Sequence, residues 1–316
     1  MQAEQNAAAE AEAHIRLPDG HHLYLKLAGF PRPSSKTPVI VLIHGLGGTA
    51  REWLDVQRRI AHFAPVLLYE RGGYHGSDPP VQIPTCENIA SELRTLLSAA
   101  NIEPPYLLVG HSYGGVIARQ VLNDLPSDIA GMVLVDSVPV VNRFPSVWEK
   151  LLGDATCEDV VGLQDNHAMP EEEWQAIGRD TSLNEMGGGI AEQELNLMAP
   201  ANDHLNASLQ GWQALGNHRL CVLFCYETRD FQKVYEHGMR HGHGTVEERE
   251  VVRKHLETMS IEDEAAQRTP LALSSHARFV KAEGERATHN VHFVDPAWVV
   301  EQIRWVYDGS VNTETT

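Results

Sequence analysis

Residues Gly110-His111-Ser112-Tyr113-Gly114 lie between the apolar run Tyr106-Leu107-Leu108-Val109 and the amphipathic run Val116-Ile117-Ala118-Arg119-Gln120-Val121-Leu122. A buried strand therefore turns abruptly into a helix, with a serine at the apex and a glycine two residues to either side. So tight a turn leaves no room for a Cβ at the glycine positions and holds the apical residue in sparsely populated φ/ψ space. A strained hydroxyl presented on a strand-to-helix turn makes Ser112 the candidate nucleophile. The turn also narrows the fold, because a short strand with no polar face needs helices on both sides of a parallel sheet.

Strand-like and helix-like runs alternate along most of the chain. An opening hairpin is expected over 14–17 and 22–27, turned by Pro18-Asp19-Gly20. The run over 39–44 is apolar up to its last residue, as a strand buried on both faces requires. Similar runs over 65–69, 106–109, 132–135, 220–226 and 278–282 alternate with helical patterns over 52–62, 86–100 and 113–125, and a last helix is expected over 296–307. That order predicts an α/β fold: a doubly wound, mostly parallel eight-stranded sheet whose ligands bind beyond the carboxyl ends of the strands. His44, Ser112, Asp136, Asp230 and His289 all fall at or just past such ends.

Residues 140–217 break the alternation with acidic helical pieces, a flexible Met186-Gly187-Gly188-Gly189, and Trp148, Met169, Trp174, Met198 and Trp212. They read as a helical cap inserted after the sixth strand, which leaves a core of 1–139 and 218–316. Most of these large side chains are expected to pack helices against the sheet, and part of their surface to line a substrate pocket. A second long segment, 231–273, is charged and helical in its middle, 246–257. Its His237, His241 and His243 read as solvated rather than metal-binding, so neither a metal nor a cofactor is expected.

The formal net charge of −18 lacks the positive footprint that nucleic acid or an anionic membrane needs, so the expected partner is a small-molecule substrate. No run approaches the length of a membrane span. Residues 1–13 are rich in alanine and glutamate, lack the basic and apolar regions of a signal peptide, and are expected to be a frayed tail. Four cysteines, Cys86, Cys157, Cys221 and Cys225, show neither metal nor disulfide-framework spacing and read as free core thiols of a reducing, cytoplasmic setting.

Taken together, four segments resemble the α/β-hydrolase family along nearly the whole chain. They are Val39 through Gly48 with its His44-Gly45-Leu46-Gly47-Gly48, Tyr69 through Asp78, Leu108 through Gly115, and His289 through Pro296. The second is similar to the family's D-R-x-G-x-G-x-S segment, with Glu70 in place of the usual aspartate; Thr288 and Glu227 stand where the family often has glycine. The resemblance implies an oxyanion hole made by the backbone N–H groups of Leu46 and Tyr113. His44, Gly45, Gly110, His111 and Gly114 would shape the site around them.

A serine hydroxyl needs a base within hydrogen-bond reach, and the base needs a third group to fix its tautomer. The family's histidine stands seven residues before the proline that opens the last helix, which implies His289, with His292 as the competitor. Two aspartates contend for the acid. Asp230 closes Glu227-Thr228-Arg229-Asp230 after the seventh strand and is favoured by its register; Asp136, ending the sixth strand, is the alternative. The expected activity is cleavage of a carboxylic ester or lactone through an acyl-serine intermediate. Thioesterase, carbon–carbon hydrolase and cofactor-free lyase or oxygenase chemistry share the same groups, and a ligand receptor that has lost turnover is a further alternative.

Overall fold

The structure, a computed structural model, describes residues 9–137, 145–186 and 189–312. Its frame is one sheet of β1 (Ala9–Arg16), β2 (His22–Gly29), β3 (Val39–Ile43), β4 (Val66–Tyr69), β5 (Tyr106–His111), β6 (Ile129–Val135), β7 (Leu220–Phe224) and β8 (Ala277–Lys281). The strand order is β1-β2-β4-β3-β5-β6-β7-β8. Only the pairs made by β2 are antiparallel; β4, β3, β5, β6, β7 and β8 run parallel. Every residue of β3, β5, β6 and β7 is buried, which is why those strands carry no polar alternation.

The helices are α1 (Leu54–Ile60), α2 (Cys86–Ala99), α3 (Tyr113–Asp124), α4 (Cys157–Val161), α5 (Leu163–Asn166), α6 (Glu171–Met186), α7 (Ile190–Leu209), α8 (Glu227–His241), α9 (Val246–Arg268), α10 (Val291–Val294) and α11 (Pro296–Asn312). On one face of the sheet α2, α3 and α7 bury Leu93, Leu96, Val116, Ile117 and Leu205 against it. On the other face α1 and α11 bury Val56, Ile60, Val299, Ile303 and Val306. The doubly wound arrangement follows, with the carboxyl ends of the parallel strands along one edge.

Two expectations need correction. The first strand begins at Ala9, not His14, so part of the expected tail is a full partner of β2, from Ala9 opposite Gly29 to Arg16 opposite His22. Alternating alanine and glutamate supplies the period of a strand, and Lys26 holds both Glu10 and Glu12, at 3.3 and 2.9 Å. Residues 1–8 lie outside the described residues. The helix expected over 246–257 runs on to Arg268, opened by a capping box of Thr245 and Glu248.

The segment after β6 is helical, and it shares a third apolar cluster with α8, α9 and α10: Leu151, Val161, Leu163, Met169 and Ile177 pack with Val234, Val252 and Phe293. Of the large side chains singled out in the sequence, Met169 is buried in this cluster and Trp148 and Trp174 pack against it. Met198, on α7, packs against the core, and Trp212 is exposed. Val138, Pro139, Val140, Gly187 and Gly188 and the side chain of Met186 lie outside the described residues. Cys86, Cys221 and Cys225 are buried free thiols, and Cys157 is half-buried. Among the described residues no helix is long and apolar enough to cross a membrane.

Two glycines test how the frame is built. A Cβ at Gly114 would lie 2.7 Å from the His44 carbonyl oxygen and closer still to that of Ile43, both backbone atoms. Gly178, inside α6, would meet nothing within 4 Å. Gly114→Ala is therefore expected to cost about 3 kcal/mol or more, and Gly178→Ala to stabilise by about 0.5–1 kcal/mol. Urea unfolding midpoints of the two variants should move in opposite directions.

Candidate active site

Ser112 joins β5 to α3 with φ 52° and ψ −123°, a conformation that a serine adopts only when its surroundings impose it. Its N–H donates to the Val135 carbonyl (3.0 Å), and its own carbonyl accepts from Gly115 (3.0 Å). The glycines are required by contact: a Cβ on Gly110 would run into the backbone of Gly114 and Gly115. The sequence expectation for this turn therefore holds in atomic terms.

The loop after β3 lies directly over the serine. A Cβ on Gly45 would be 3.3 Å from Cβ of Ser112 and 3.2 Å from Nδ1 of His111. Gly47, with φ 72°, turns the loop, and its N–H donates to the Tyr74 hydroxyl (3.2 Å). Leu46 lies between these two glycines, while Tyr113 opens the twelve-residue helix α3, whose first-turn N–H groups carry the positive end of the helix dipole. His44 is buried edge-on to Tyr74 and held neutral, burial and the Arg71 charge both keeping it well below the ordinary histidine range.

His289 meets an aspartate, but not the one favoured by sequence register. Its Nδ1 lies 2.8 Å from Oδ2 of Asp136. The other oxygen, Oδ1, accepts from the Cys225 N–H (2.8 Å) and from Nε2 of Gln267 (3.1 Å). Burial opposes the Asp136 charge, yet the His289 hydrogen bond and these donors outweigh it and hold the carboxyl below its usual range. Asp136 has φ 44°, so the ends of the neighbouring strands β5 and β6 are both strained.

Asp230 does something else. Helix α8 begins at Glu227, only three residues past β7, so Asp230 falls in its first turn. Its Oδ2 accepts from the His289 backbone N–H (2.8 Å) and from the Thr288 hydroxyl (2.8 Å). Asp230 thus grips the backbone of the histidine loop while Asp136 takes the ring. Glu227 comes nearer the ring than Asp230's register suggests, with Oε1 3.9 Å from Nδ1. Despite burial, Glu227 and Asp136 together push the imidazole up to about 10.

The competitor His292 is buried and stacked on Trp53 with ring centroids 4.9 Å apart; the Glu52 carboxylate stands 3.9 Å from Nε2, beyond hydrogen-bond reach. Burial and the neighbouring His289 charge push it down to about 3, so it stays neutral. His111 donates from Nε2 to the His289 carbonyl (2.9 Å) and packs its ring 4.5 Å from that of His289. It supports the loop from beneath.

Sequence reasoning did not find Gln267, which sits near the end of α9 and donates from one amide nitrogen to Asp136 and to Asp263 (3.1 Å). Burial and the Asp136 charge push Asp263 up to about 7. A glutamine so far along the chain from the other site residues carries no local motif.

Residues 38–156 match a family model described as the alpha/beta hydrolase fold. An AB hydrolase superfamily protein of Gibberella zeae is 27% identical over 300 residues, covering 89% of this chain and 90% of that protein. A Hormonema carpetanum protein named "Probable transporter efuK" is 29% identical over 91% of this chain, which spans only 42% of that protein's length. Among solved structures, a thermophilic esterase from Thermogutta terrifontis superposes with a TM-score of 0.58 at 15% identity, over 95% of this chain and 99% of that one. With its eight-stranded, mostly parallel sheet, this chain carries the α/β-hydrolase fold.

Proposed function

We propose that the chain is a serine hydrolase that cleaves a carboxylic ester or lactone of a small organic molecule, with Ser112 as nucleophile, His289 as base and Asp136 as acid. The observation that carries this reading is the 2.8 Å contact of His289 Nδ1 with Asp136, made beside a serine held at positive φ. Accepting from Nδ1–H, Asp136 leaves Nε2 free to take the Ser112 proton as Oγ attacks the ester carbonyl. The tetrahedral oxyanion would accept from the N–H groups of Leu46 and Tyr113. Collapse breaks the carbon–oxygen bond to the leaving alkoxide, which takes the proton back from Nε2; water then hydrolyses the acyl-serine by the same steps.

Substrate would enter beneath the segment 140–217, which we read as a cap. This is supported by the start of α7, where Ala191 approaches the oxyanion loop at Gly47 and Ile190 approaches Gly73. A serine nucleophile argues against the ester intermediate of aspartate-dependent relatives that open epoxides.

Ser112→Ala should lower kcat for p-nitrophenyl butyrate by about 10⁴ or more and abolish fluorophosphonate labelling, with an unchanged unfolding midpoint. Asp136→Asn should also lose about 10⁴ in kcat, because an amide favours the wrong tautomer, whereas Asp230→Asn should lose far less. The reverse ranking would return the acid to α8. The third expectation concerns pH. Only neutral His289 can accept the serine proton, so kcat/KM should rise with pH, with a midpoint above the ordinary histidine value of about 6.5. Glu227→Gln removes the largest influence raising it and should shift that midpoint downwards; an unmoved midpoint would mean that Glu227 does not tune the base.

A further inference from the structure

One carboxylate from the inserted helices reaches the oxyanion loop by two routes. Glu194, on α7, is almost completely buried, as is its partner Arg71, from the segment after β4. The pair is bidentate: Nε of Arg71 donates to Oε1 of Glu194 and an Nη2 hydrogen to Oε2, both at 2.9 Å. The remaining guanidinium donors point at the loop, Nη1 to the His44 carbonyl (2.8 Å) and Nη2 to that of Gly45 (2.9 Å). On the second route the Tyr74 hydroxyl donates to Glu194 Oε2 (2.6 Å) and accepts the Gly47 N–H (3.2 Å). Leu46, the proposed oxyanion donor, is thus bracketed: the carbonyls of the two residues before it and the N–H of the one after are all held through Glu194.

Burial works against the Arg71 charge, and Glu194 offsets it, keeping the guanidinium protonated far above its usual range. Without the carboxylate, Arg71 would be a buried cation left with carbonyls, the His44 ring and the faces of Tyr74 and Tyr113, and its planar fork would lose the ionic partner that fixes its orientation. The Tyr74 hydroxyl would lose its acceptor at the same time.

We infer that Glu194 is a positioning residue for the oxyanion hole, acting through Arg71 and Tyr74, so that seating of α7 and alignment of the Leu46 N–H are one event. This inference rests on the serine-hydrolase reading for its catalytic consequence, but not for the mechanical link from Glu194 to the loop. Displacing a catalytic group by about 1 Å can cost about 100-fold in rate. Because Glu194 acts on a donor used in the transition state, its loss should fall on kcat rather than KM.

Three variants and two readouts test it. Glu194→Gln keeps the shape and removes the charge; Tyr74→Phe cuts only the second route and guards against a Glu194 variant that folds poorly. Glu173→Gln is the control, since Glu173 pairs with Arg58 on α1 (2.7 and 2.9 Å), joining α6 to the core with no route to the loop. Hydrogen exchange of the loop amides from His44 to Thr49 should quicken in Glu194→Gln and Tyr74→Phe and stay unchanged in Glu173→Gln. For p-nitrophenyl butyrate, kcat should fall about 10- to 100-fold in Glu194→Gln with KM within about twofold, and phenylboronic acid, which forms a tetrahedral serine adduct, should bind more weakly by a similar factor. Unchanged loop exchange in a folded Glu194→Gln overturns the inference whatever the enzyme does, as does an equal kcat loss in Glu173→Gln. If the wild-type chain is neither labelled at Ser112 nor able to hydrolyse any ester, the functional reading fails, and loop exchange alone decides whether Glu194 holds the loop.

Discussion

Backbone-to-backbone contact between the end of β3 and the first turn of α3 underlies everything else at the site. At Gly110 and Gly114 a side chain would strike main-chain atoms and at Gly45 it would press on His111 and Ser112, so two strands and a helix approach more closely than ordinary residues permit. That closeness sets Ser112 at positive φ and brings the loop bearing Leu46 over it. The strain is sustained because the central strands below are buried throughout and their ladder continues past the elbow, from Ser112 N–H to Val135 and from Asp136 N–H to Leu223.

Around this frame the polar groups are arranged so that nearly every buried charge has a partner. Asp136 is satisfied by a ring nitrogen, a backbone N–H and a glutamine amide. Asp230, the aspartate favoured by sequence register, serves the backbone of the same loop. Two carboxylates therefore divide one histidine between them, one acting on the ring and the other on the main chain. Glu227 and Asp230 add negative potential to that of Asp136, which is why the imidazole holds its proton above the ordinary histidine range.

Much of this was legible from residue order. The strand ends, the glycine-flanked serine and the histidine ahead of Pro296 each depend on neighbours a few positions away, and local patterns report local constraints. Which aspartate meets the histidine ring was not legible, because Asp136 and Asp230 both follow apolar strands and both precede the histidine; the difference turns on α8 starting early enough to carry Asp230 into its first turn. Gln267 and Glu194 were invisible for a related reason. Each lies near one end of a helix whose docking, not whose sequence, brings it to the site. The missed start of β1 differs again: alanine alternating with glutamate has the right period but little apolar weight, and was outvoted by composition.

Ser112 and Asp136 cap adjacent strands, following His111 and Val135, which are partners in the ladder. Their separation is therefore a lattice constant of the sheet, fixed by strand spacing and indifferent to how the long helical segments between β6 and β8 pack. Only the histidine comes from a distant loop, and that loop is stitched down at its backbone by Asp230 and His111. In engineering terms the site has two fixed datum points and one adjustable arm. Large changes of shape in those helical segments can be accommodated without resetting the first two, and any error in alignment is confined to a single, separately clamped part.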